Sequence, residues 1–81
     1  MNDANLEKVE AATYRKIIEF LRDAKDVQNI YLMNLAGFCR NCISKWYMAS
    51  AEEEGIKINY DEAREAVYGM TYAEWKDKYQ K

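Results

Sequence analysis

The chain has 81 residues, with 12 Lys and Arg against 14 Asp and Glu, and a formal net charge of −2. That length holds one helical domain, residues 1–81, and not two. The absence of histidine excludes Ser-His-Asp and Cys-His nucleophiles and the usual general base with a pKa near neutrality.

Helical periodicity dominates, because proline is absent and no stretch alternates with period two for long. The first helix is expected from about Asn5 to Ala24. Leu6, Val9, Thr13, Ile17, Phe20, Leu21 and Ala24 fall at steps of three and four and make one apolar stripe. Tyr14 and Ile18 widen that stripe on one side. Asp26 is the expected N-cap of a second helix ending near Glu54, with Gly55 as its stop. Leu32, Leu35, Ala36, Cys39, Cys42, Ile43, Trp46, Tyr47 and Ser50 trace its apolar stripe. Gly37 lowers helix propensity mid-way, so a break around Asn34 to Gly37 stays open.

Two short helices are signalled by their starts. Asn59 with Glu62 fits a capping box, Ile58 with Ala63 a weak hydrophobic staple, and Gly69 a stop. Thr71 with Glu74 fits a second capping box, and Met70 with Trp75 a strong staple. Val67, Tyr68, Tyr72, Trp75 and Tyr79 then form a mostly aromatic rim, expected to close the open end of the helix pair. The expected fold is all-α, two long antiparallel helices closed by two short C-terminal helices.

Three blocks are distinctive: Asp26 to Ile30, Leu32 to Cys42 with its Gly37-Phe38-Cys39-Arg40-Asn41-Cys42 core, and Ser44 to Tyr47. So are the later runs Asp61 to Glu65, Val67 to Met70 and Glu74 to Lys76. From about Tyr14 to Gln80 the chain closely resembles a family of short bacterial proteins called domain of unknown function 1244. Members often carry proline where this chain has Thr71, and either residue can start a helix. The resemblance implies a small all-helical domain and no particular activity.

Cys39 and Cys42 form a C-x-x-C pair. At a helix N-terminus the dipole would activate the first thiol, whereas mid-helix that advantage fades. Spaced three apart, the two face the same side and offer two ligands to zinc or iron. A complete metal site needs about four ligands, hence a second chain or carboxylates. The competing reading is plain core packing, because free cysteine is among the most buried residue types. Asn34, Arg40, Asn41 and Lys45 make a strip of donors beside the pair, readable as an anion site or as a solvated helix face. Glu52, Glu53 and Glu54 point in different directions around their helix and read as solvated.

A non-enzymatic helical interaction module, homodimeric and able to present a helix face to a protein partner, is the leading functional expectation. A chain of this size buries only about 60% of its unfolded surface. Nine of its eleven aromatics are Tyr or Trp, types enriched at interfaces. The alternative is a thiol site, metal-bridging or redox, at Cys39 and Cys42. An enzyme using Arg, Lys and carboxylates would need a pocket of about 300 Å³ with convergent polar groups. No segment is basic, so nucleic acid is not an expected partner. No run of about 18 apolar residues marks a membrane span, and residues 1–10 carry no secretory signal. The expected compartment is the cytosol.

Overall fold

Asn2 opens the first helix: its side chain accepts a hydrogen bond from the Asn5 N–H at 2.9 Å, satisfying one free donor of the first turn. The computed structural model describes residues 2–81. Among them lie five helices and no strand: α1 (Asp3–Asp23), α2 (Asn29–Ala36), α3 (Arg40–Glu53), α4 (Tyr60–Tyr68) and α5 (Tyr72–Tyr79). No helix is long and apolar enough to cross a membrane.

The long second helix is not continuous. Gly37, at φ 79°, ends α2 and lets its own N–H reach the Met33 carbonyl at 2.9 Å. Three residues later α3 begins at Arg40. Asp26 does not cap this segment: α2 starts at Asn29, and Gln28 precedes it without a side-chain cap. Only part of the expected stripe is buried. Cys39 and Ile43 are buried, whereas Leu35 and Trp46 stand 69% and 57% exposed.

The two short helices form where their caps place them. Asn59 and Glu62 close a full capping box. At α5 the Thr71 hydroxyl accepts from the Glu74 N–H and donates to Glu74 Oε1, so the return bond comes from the hydroxyl and not from the backbone. These helices do more than close an end. Val67, Tyr68 and Trp75 join Ile18 and Ile43 in the core, with Tyr14, Leu21, Met70, Tyr72 and Tyr79 packed around them. The Tyr68 ring lies edge-on to both Tyr72 and Trp75, at 5.6 and 5.1 Å. α4 is the hub, packing chiefly on α3 and also on α1 and α5. Small buried residues, Ser44 on α3 and Ala63 on α4, suit a close approach of two helices.

α1 therefore uses the flank of its stripe. Tyr14, Ile18 and Leu21 face the core, while Leu6, Val9, Ile17 and Phe20 remain exposed. Its N-terminal half projects, and the radius of gyration is 13.6 Å, against about 11.7 Å for a compact chain of this length.

Gly69 ends α4 at φ 76°, and a Cβ there would lie 2.9 Å from Arg22 Cδ. Arg22 Nη2 donates to the Ala66 carbonyl, so making room at Gly69 disturbs that bond. At Gly37 a Cβ would meet nothing within 4 Å. Alanine at either position is expected to cost about 1–2 kcal/mol for the left-handed backbone. Gly69→Ala should cost about 1 kcal/mol more than Gly37→Ala, through the Arg22 bond. Urea unfolding of the two variants side by side measures the difference.

Candidate functional site

The most chemically loaded part of the surface is the junction between α2 and α3. Cys39 sits in extended backbone at φ −140° as the N-cap of α3, and Cys42 lies in its first turn. Both thiols are free, with their sulfurs 3.9 Å apart. Met33, from the last turns of α2, places its sulfur 3.9 Å from Cys42 Sγ. Cys39 is buried, Cys42 half-buried and Met33 exposed. The first N–H groups of α3 and the positive end of its dipole favour negative charge in this turn. Phe38 and Trp46 stack beside it, with ring centroids 5.6 Å apart. Among the described residues no group of three or more His, Cys, Asp or Glu side chains is placed to share a metal ion.

Arg40 departs most from its sequence reading. Read as part of a polar strip, it is 1% exposed. Its Nη1 donates to the Val27 carbonyl at 2.7 Å and to Asn29 Oδ1 at 3.1 Å. Its Nη2 donates to the carbonyls of Ala24 at 2.8 Å and Leu21 at 3.4 Å. The guanidinium lies 5.0 Å from the centre of the Trp75 ring. The cation thus caps the negative end of α1 with no carboxylate bonded to it. Burial lowers its pKa from the ordinary arginine value.

Asn29 extends this network by donating to Tyr68 Oη at 3.0 Å, and Tyr68 donates to Asn41 Oδ1 at 2.6 Å. Of the expected strip, Arg40 and Asn41 are therefore brought together, through Asn29 and Tyr68. Asn34 is exposed on α2, and Lys45 is exposed with its ammonium 6.0 Å from the Tyr60 ring. Gln28 ties the last residues of the chain to the start of α2. Its Nε2 donates to the Tyr79 carbonyl at 2.8 Å, and its Oε1 accepts from the Lys81 N–H at 3.0 Å. A cleft of about 250 Å³ opens between Gln28, Asn29, Asn41, Tyr72 and Trp75.

Burial pushes the Tyr68 phenol up to about 12 from its ordinary 10.0. The stability that comes from keeping it neutral is complete below pH 10 and is lost as pH rises through 12. Melting temperature should therefore fall steeply above pH 10. Tyr68→Phe is expected to lose about 1–3 kcal/mol at neutral pH, because Asn29 and Asn41 lose a partner. The variant should also show a shallower alkaline fall. Thermal melts from pH 8 to pH 11.5 check both.

A second feature is apolar. Tyr14, Ile43, Trp46, Tyr47 and Ser50 line a groove of about 350 Å³ between α1 and α3. α1 also carries an open apolar row, with Leu6, Val9, Ile17 and Phe20 exposed. Neither feature was visible as a gap in the sequence, where all these residues read as core.

The family described as Protein of unknown function (DUF1244) matches residues 27–81, which include the junction, Arg40 with its partners Val27 and Asn29, and both short helices, but not the Leu21 and Ala24 carbonyls. All of α1 lies before the matched span. No curated protein matches the chain.

Proposed function

We propose that this chain, which belongs to the DUF1244 family, is a non-enzymatic helical interaction module that works as a homodimer. One observation carries this reading, the open row on α1. Leu6, Val9, Thr13, Ile17 and Phe20 lie at −7, −4, 0, +4 and +7 about Thr13. At 3.6 residues per turn they occupy an arc of about 80°. A row symmetric about its middle complements itself. A second α1 running antiparallel lays Leu6 against Phe20 and Val9 against Ile17, with the twofold axis at Thr13. The Thr13 hydroxyl donates to the Val9 carbonyl at 2.8 Å, so closing the seam strands no donor there.

Surface area supports the same occupant. A compact monomer of this mass exposes about 5,100 Å², and this chain exposes 6095 Å². The excess is close to the roughly 800 Å² that each partner buries in a stable interface. Sedimentation equilibrium from micromolar to millimolar protein tests the proposal. A dimer is expected, and a strict monomer throughout overturns it and leaves the row to an unlike partner. The module reads as cytosolic, where its thiols stay reduced.

A second reading, a thiol site at Cys39 and Cys42, is favoured by the break at Gly37. That break moves the pair from mid-helix to the N-cap and first turn of α3. Zinc or iron would need both pairs of a dimer to complete four ligands.

A further inference from the structure

The Gly37 turn brings three sulfur atoms together from two helices. Cys42 Sγ lies 3.9 Å from Cys39 Sγ and 3.9 Å from Met33 Sδ. Metal–sulfur bonds of about 2.3 Å set donor atoms about 4.0 Å apart around a trigonal centre and about 3.8 Å apart around a tetrahedral one. Two donor edges of that size are thus already formed. The donor set is two thiols and one thioether, with no third His, Cys, Asp or Glu within reach among the described residues. Zinc draws its ligands from thiolate, imidazole and carboxylate, and iron–sulfur clusters chiefly from thiolate. A thiolate–thioether set with few ligands suits copper(I), the soft monovalent cation.

Charge agrees with this assignment. Two thiolates and one monovalent cation sum to −1, and two thiol protons leave on binding, with no change of oxidation state. That anion would sit at the positive end of the 14-residue helix α3 and beside the Arg40 cation. Access is from the side of Met33 and Cys42, which are exposed and half-buried, while Cys39 closes the inner side. We propose that Cys39, Cys42 and Met33 form a three-sulfur site for one copper(I) ion per chain. The proposal rests on the thiol reading above and adds Met33 as the third ligand.

The test is an anaerobic titration of the reduced full chain with copper(I) against a coloured copper(I) chelator. One equivalent retained per chain, with three sulfurs in the X-ray absorption shell, is expected. Met33→Leu conserves volume and should keep the helical circular dichroism, yet weaken retention about 10-fold or more. Cys42→Ser should abolish it with the same spectrum. Retention by the wild type no better than by Cys42→Ser overturns the proposal. So does one copper per two chains with Met33→Leu unchanged, which would mean four thiolates bridging two copies. Alkylation of the folded chain separates the two ideas. If Cys42 alkylates but copper is not held, the copper site fails and the thiol reading stands. If neither occurs, both fail.

Discussion

Arg40→Met is expected to remove about 3–5 kcal/mol of stability, from a total of roughly 4–12 kcal/mol for a chain of this length. At the low end of that range much of the variant would be unfolded at room temperature, and at the high end its unfolding midpoint would fall. Burying an arginine without a bonded carboxylate is costly, and an apolar replacement of a buried charge is sometimes neutral. The acceptors decide the sign here. The carbonyls of Leu21, Ala24 and Val27 belong to the backbone and stay behind when the guanidinium goes. The Ala24 carbonyl keeps the Val27 N–H at 3.2 Å, and each acceptor left without a partner costs about 1–3 kcal/mol. Methionine retains much of the apolar stem but loses the guanidinium that lies 5.0 Å from the Trp75 ring centre, so the loss reports the hydrogen bonds together with that cation–π contact. Arg40→Lys keeps the charge but not the fork, and should fall between the two. Urea unfolding followed by circular dichroism measures all three proteins. A midpoint for Arg40→Met equal to wild type would show that water satisfies those carbonyls equally well.

Phe20→Glu should convert the proposed dimer to monomer without touching the fold. Phe20 is 69% exposed, so its replacement removes little intramolecular packing. In a twofold interface each substitution counts twice. A loss of about 2 kcal/mol per copy weakens association roughly a thousandfold. Glu19→Gln, on the same helix but outside the row, should leave association unchanged. Sedimentation of the three proteins, with melting curves in parallel, gives the answer. If Phe20→Glu associates as the wild type does, the α1 row is not the interface.

The thiols show how a local signal and a tertiary one combine. The C-x-x-C spacing and the weakness at Gly37 were both legible, and so was their consequence: a break there moves Cys39 to a helix start. What the spacing could not supply was Met33. Its sulfur reaches Cys42 only because the chain turns at Gly37 instead of running on, and no periodicity encodes the direction of that turn.

Helix type and the starts of α1, α4 and α5 are matters of local chemistry. Asn2, Asn59 and Thr71 satisfy N–H groups three residues away, so their effect lies within a few neighbours in the chain. Gly37, Gly55 and Gly69 supply the positive φ at which three helices stop. Those interactions are short in sequence, and the all-helical class follows from them. Which apolar face is buried is a different question. Leu6, Val9, Ile17 and Phe20 have the same hydrophobic character as Ile18, and only the position of α4 makes Ile18 the one in the core. Arg40 is the extreme case. A cation in a strip with Asn34, Asn41 and Lys45 reads as surface, yet the end of α1, 16 residues earlier, offers carbonyls that draw it inside. Burial depends on partners distant in the chain, and their arrival is a property of the packed structure.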